Sequence, residues 1–167
     1  MNTLKTKLIS EIRETREKFL ALLDSISEAD YSLPVDNPAW TVGDILYHIA
    51  LGPHALAFEI WMIIHARGLF QFGMNTFPSK FFNKVNARFG QRGNRINRQM
   101  LIKAYEAGHA SVRSSLRRTR EEDMQKSVVY PAELEEMLAG ECSVERLFHY
   151  VKDHFEVHAN QIKSRAR

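Results

Sequence analysis

His154 and His158 stand four residues apart in the run L-F-H-Y-V-K-D-H-F-E-V-H-A-N-Q-I, residues 147–162. Leu147, Val151, Phe155 and Ile162 recur there at helical spacing, the signature of an amphipathic helix with one buried stripe. On such a helix two residues four apart lie about 40° apart around the axis and about 6 Å apart along it. Their rings therefore project side by side and can converge on one point. The same spacing holds two zinc ligands in H-E-x-x-H proteases. Glu156, however, falls two residues after His154 and points roughly 160° away from it. It cannot reach a metal-bound water, so the protease reading fails. A histidine pair beside a core stripe is also compatible with two core imidazoles bonded to backbone, because a zinc site needs three or four ligands. A third ligand decides between the readings.

The candidate is His48, three residues past Ile45 on the inner side of a second helix. That helix has the clearest start signal in the chain. Thr41-Val42-Gly43-Asp44 matches a capping box, and Trp40 before it can staple onto Ile45. If the second and last helices are neighbours, one imidazole from the former and two from the latter can meet in the bundle core. Three protein ligands leave a coordination position open for water or substrate, as catalytic rather than structural metals require. Three nitrogen donors suit zinc, nickel, iron or copper about equally.

The elements that must position these residues read as all-α. A first helix runs from a cap at Asn2 or Thr3 to about Ser25, and residues 27–40, with Pro34 and Pro38, read as a loop. In the second helix Gly52-Pro53 predicts a kink or short break one turn after His48. Helical pattern resumes and stops at Arg67-Gly68. Residues 69–96 form a long connection with a short helix at Ser79–Phe89, a length that suggests a crossover. A third helix spans about Asn97–Arg118, with Leu101, Ala104, Gly108, Val112 and Ser115 inward. Residues 119–142 connect onward, with one helical turn at Pro131–Leu138 and only Ser127–Tyr130 extended, and Ser143 caps the fourth helix. The expectation is one domain over residues 1–167, a four-helix bundle with a long crossover connection between helices 2 and 3.

W-T-V-G-D-I-L-Y-H-I-A (Trp40–Ala50) followed a hundred residues later by H-F-E-V-H-A-N-Q-I (His154–Ile162) resembles the DinB/YfiT-like superfamily, and the likeness covers essentially the whole chain in helix order. The resemblance implies a four-helix bundle that holds a divalent metal (zinc, nickel or iron) through His48, His154 and His158. It also implies metal-dependent chemistry of the kind found in bacillithiol S-transferases, mycothiol-dependent maleylpyruvate isomerases and related hydrolases. A low-molecular-weight thiol cosubstrate, a small-molecule substrate and a homodimer are expected with it; DNA binding is not.

Composition is consistent with this. Apolar content of 44%, charged content of 26% and a net charge of +3 are ordinary for a globular protein, and the charge is too weak to imply nucleic-acid binding. The longest apolar-rich run, Ala55–Ile64, is short and carries Glu59, so no membrane span is expected. The single cysteine, Cys142, excludes an internal disulfide and reads as an ordinary thiol; a cytoplasmic location is the simplest expectation.

Further candidates are weaker. Asp44 either orients His48 as a carboxylate behind the ligand or, the preferred reading, serves only its capping box. Gln161, one turn after His158, either reaches the pocket or stays on the surface. Asn86 is a candidate to lie over the open side of the site, where the resemblance implies an asparagine. Tyr105 and His109 either face the metal or pack. His149 is expected to be exposed, and His54 and His65 have no partner at ligand spacing. Lys84, Arg88, Arg92, Arg95 and Arg98 form a basic run without an acid, read first as a solvated connection and otherwise as a clamp for an acidic cosubstrate or a nucleic-acid patch. No general acid or base is identifiable beyond the ligands, which keeps a non-enzymatic rival open, a metal-binding or dimerising interaction module. The two differ in whether the metal accepts an exogenous thiol or azide.

Overall fold

In a computed structural model, which describes residues 3–37, 39–77, 80, 84 and 96–164, the chain forms four long helices and one small hairpin. Helix α1 is Thr3–Asp24, α2 Val42–Thr76, α3 Arg98–Arg118 and α4 Val144–Ser164. Strands β1 (Ser127–Tyr130) and β2 (Gly140–Ser143) pair antiparallel, with Val128 opposite Cys142. The all-α bundle is thus as expected, and the extended stretch at 127–130 is present. Its partner β2 has no hydrophobic alternation in sequence and was not anticipated.

Helix starts follow local chemistry. Thr41 Oγ1 accepts from the Asp44 N–H at 3.1 Å, while the Asp44 carboxylate accepts from the Thr41 N–H at 3.0 Å, so both halves of the capping box form. Asn97 caps α3 through the Met100 N–H, and Ser143 caps α4 through the Arg146 N–H. The loop before α2 is partly a 3-10 helix, Glu28–Ser32, capped by Ser27.

Helix α2 departs most from expectation. It does not break at Gly52-Pro53; instead two helical segments meet at a kink at Ala66 (φ −140°, ψ 36°), one residue before the stop expected at Arg67-Gly68. It then continues to Thr76, through residues expected to be connection. Gly52 and Pro53 are both buried, and the reason is packing. A Cβ at Gly108 of α3 would lie 3.0 Å from the His54 backbone N and 3.3 Å from the Pro53 Cβ, so the two helices approach closely here. A proline inside a helix costs about 3 kcal/mol, and burial of the ring against α3 offsets part of that.

The inner face of α3 is Leu101, Tyr105, Gly108, His109, Val112 and Leu116 rather than the smaller set expected: Ala104 and Ser115 are only partly buried. The core divides into two clusters. One joins Leu8, Ile60, Ile63, Val112, Leu147 and Phe148 with the hairpin; the other joins Phe19, Ile45, Ile49, Leu101, Tyr105 and Phe155. The short helix expected at Ser79–Phe89 lies outside the described residues apart from Lys80 and Lys84.

Candidate metal centre

His48 is carried by the second turn of α2, and His154 and His158 by successive turns of α4. The fold packs α2 against α4, and the three ligand-capable nitrogens come within 4.8 Å of one another. The His154 Nε2 lies 3.0 Å from the His48 Nε2. Two imidazole nitrogens on one zinc at roughly 2.05 Å, 90–110° apart, stand about 2.9–3.4 Å from each other. The observed separation falls in that window, and all three rings crowd together, with centroids 4.6 to 4.9 Å apart.

His154 is buried, and His48 and His158 are half-buried. Burial lowers the pKa of all three; the nearby His158 adds to the effect on His48, bringing it to about 4, and the other two rings add to it for His154. Neutral imidazole is the metal-binding form, so the donor set is in the right protonation state at pH 7.

The surroundings fix the rings. Gln161 Oε1 lies 3.0 Å from His158 Nδ1. An amide oxygen can only accept, so Nδ1 carries the proton and the Nε2 lone pair is left for a ligand. Trp40 meets the His48 ring edge-on at 5.8 Å. Tyr150 does the same to His154 at 5.8 Å. Burial raises the Tyr150 hydroxyl well above its ordinary value, so it stays protonated beside the His154 ring. Most telling is Gly52. A Cβ there would sit 2.7 Å from His154 Cε1 and 2.8 Å from its Nδ1, contacts that no side chain could make without moving the ring.

The residue profile of the DinB superfamily matches residues 11–162. The chain belongs to the DinB superfamily. No curated protein matches this DinB member by sequence. Among solved structures it is similar to a mycothiol-dependent maleylpyruvate isomerase, with a TM-score of 0.67 at 14% identity. A histidine-to-alanine variant of that enzyme gives 0.69 at 13%. Both alignments cover 96% of this chain, which spans 63% of the isomerase's length. An uncharacterised protein from Clostridium difficile 630 is similar at a TM-score of 0.66 and 17% identity, over 99% of this chain and 97% of that one. At these identities the likeness speaks for the fold.

Of the candidates read from sequence, His48, His154, His158 and Gln161 are brought together. Asp44 serves the capping box. Asn86 lies outside the described residues, as do Arg88, Arg92 and Arg95. Arg98 is committed elsewhere: it pairs with Asp24 at 2.8 Å and donates to the Ile26 carbonyl, tying α3 to the end of α1. Tyr105 is buried and stacks on Phe19 with centroids 4.1 Å apart, and His109 stacks on Tyr105. His149 corrects an expectation: its Nδ1 lies 2.7 Å from Glu11, because α1 packs on that side of α4. Glu156 faces away from the histidines and pairs with Lys18. Cys142 is buried and its thiol is pushed up to about 11, an inert cysteine. Gly52 and Tyr150 were missed. Gly52 could have been found only by asking what stands opposite it.

Proposed function

We propose that this DinB-superfamily protein is a divalent-metal enzyme, a thiol S-transferase or hydrolase, whose metal is held by His48, His154 and His158. The convergence of three desolvated, neutral imidazoles on one point carries the reading. A bound divalent metal would supply a Lewis acid that brings coordinated water toward pKa 7 or holds a thiol as thiolate.

The chain's own residues supply the rest. Three neutral donors leave the metal's charge uncompensated, which favours an anionic ligand in the open position. Gln161 keeps the His158 tautomer fixed, and Gly52 lets His154 reach inward. Similarity to a mycothiol-dependent isomerase supports a thiol as cosubstrate; the identity of the metal and of the acceptor follows from assay. Zinc, nickel and iron are the metals to supply.

Elemental analysis of untagged protein purified without chelator is the first test, with His48→Ala as control. About one metal per chain, lost in the control, is the expected result. Cobalt-substituted protein whose visible spectrum changes on adding a thiol or azide would then establish the open position, and thiol transfer to electrophilic acceptors would establish the activity. A wild type that takes up no metal overturns the proposal. A metal that binds no exogenous ligand favours the non-enzymatic module.

A further inference from the structure

Helix α2 is two segments that meet at Ala66, and each is apolar on two sides. Before the kink, Leu56, Ile60 and Ile63 point into the core, while Phe58, Trp61 and His65 fall within about 60° on the opposite side. After it, Met74 points inward, and Leu69 and Phe72 lie roughly 160–220° around the axis from it. Phe77 follows at the helix end. Phe58 is 57% exposed, Trp61 52%, Leu69 67%, Phe72 65% and Phe77 49%. So many large apolar side chains facing water from one helix require cover. Glu59, the one acid between Phe58 and Phe77, is turned away from them and accepts from the Tyr130 hydroxyl at 2.6 Å.

Charge indicates what the cover is. From Ile60 to Tyr105 the chain has eight Lys and Arg and no Asp or Glu. The remaining residues have 15 basic and 20 acidic side chains, so a stretch of +8 stands against −5 elsewhere. Arg98, within that stretch, is tied to Asp24. Arg67 is exposed on α2, and Lys80 and Lys84 are exposed just beyond it. Arg118 joins them from α3. The two helices run parallel, since Leu101 shares a core cluster with Ile45 and Leu116 shares one with Ile60. They meet where Ser111 Oγ lies 3.3 Å from His54 Nδ1, and Arg118 follows Ser111 by the same two turns that separate Trp61 from His54. Cations bordering exposed Trp, Phe and Leu are the pattern of a segment lying on an anionic bilayer, with its rings at the acyl boundary and its charges among the headgroups.

Other covers fit less well. The kink takes the two apolar segments out of one line, and a rigid partner helix needs a straight seam where a fluid lipid surface does not. A single-stranded nucleic acid needs aromatic faces free to stack on bases. Here Phe58 stacks on Trp61 with centroids 6.4 Å apart, and Trp61 meets His65 at 5.4 Å. Nor does α2 cross the bilayer. It is long and apolar enough, with a mean hydropathy of 1.4 over its best window, but a crossing would strip Leu56, Ile60 and Ile63 of their core partners.

We infer that the outer side of α2, from Phe58 to Phe77, docks this protein on an anionic lipid surface, with Arg67, Lys80, Lys84 and Arg118 at the headgroups. Co-sedimentation of the full chain with phosphatidylcholine/phosphatidylserine vesicles is the test. The wild type should bind them, bind pure phosphatidylcholine at least about tenfold more weakly, and be released as salt is raised. Trp61→Glu/Leu69→Glu should lower the partition at least about tenfold with unchanged helix content. Lys80→Ala/Lys84→Ala should lower it by about fivefold per charge removed. Met100→Glu, an exposed apolar site at the opposite end of the bundle, should bind within about twofold of the wild type. Bromine-labelled lipid should quench tryptophan fluorescence in the wild type but not in Trp61→Phe, which keeps Trp40. The inference is overturned by a wild type that ignores anionic vesicles, by a Trp61→Glu/Leu69→Glu variant that binds as the wild type does, or by binding indifferent to lipid charge. A chain that sediments at twice 19.3 kDa and leaves vesicles unbound assigns the face to a second copy, and one that binds an oligonucleotide but no vesicle assigns it to nucleic acid; either overturns it too.

Discussion

The His154 imidazole occupies the volume that any side chain at position 52 would need, so ligand and glycine are one device placed on two helices. With a Cβ 2.7 Å from Cε1, the ring must rotate or α4 must shift by several tenths of an ångström. Gly52→Ala should therefore weaken metal binding by at least tenfold while helix content stays at the wild-type level, because alanine is the better helix former. Competition against a chromophoric chelator measures this, and an unchanged affinity would show that His154 does not need the cradle. Protonation gives a second handle at this scale. The site histidines are lowered by burial, His48 to about 4, so the unfolded chain takes up protons near pH 6.5 while the folded site resists. Stability of metal-free protein is fully present above that pH and is lost as pH falls through the window from 6.5 toward 4. His109 acts in the same direction, and Glu59, raised by burial, acts in the opposite one. Comparing urea midpoints at pH 7 and pH 5 between wild type and His48→Ala isolates the site. The wild type should lose more, and equal losses would contradict the buried-base description.

At the scale of elements, the capping box decides where α2 begins and hence which turn carries His48. Thr41→Ala removes one half of the reciprocal pair and should cost about 1 kcal/mol of unfolding free energy. Metal affinity should hold within about threefold, since the packing of α2 on α3 and α4 keeps the turn in place; a larger loss would mean that the cap, rather than packing, sets the ring's position. This element was legible in sequence because caps are written in local chemistry: four consecutive residues sufficed. The histidine spacing on α4 was legible for the same reason, with period 3.6 and a neighbouring apolar stripe. Gly52-Pro53 was misread because the outcome depends on what lies across the interface. A glycine and a proline together signal a break only when nothing rewards continuity, and here His154 fills the space beside one and Gly108 admits the other. Strand β2 was invisible because G-E-C-S has no alternation, and its pairing is set by β1.

For the whole molecule, the histidine cluster sits where the two core clusters meet, and it joins α2 to α4 across that junction. A metal bound there is a cross-link between elements a hundred residues apart, present only in the folded state. Ligand binding to the native form stabilises by RT ln(1 + [L]/Kd), about 2.7 kcal/mol at a hundredfold excess over Kd. For a domain of this length one kcal/mol moves the melting midpoint by about 2–4 °C. Metal-loaded protein should thus melt roughly 5–10 °C above the chelator-treated form, and His154→Ala should show no difference between the two. A two-state melt that rises as a unit would place the site within one cooperative structure. If only one of two transitions moved, the core clusters would be separable, and the metal would be stabilising the half built around Phe19, Tyr105 and Phe155 alone. The close α2–α3 approach at Pro53 and Gly108 spans the same junction independently of the metal. The single transition is therefore the expected result, and calorimetry with and without chelator distinguishes the two.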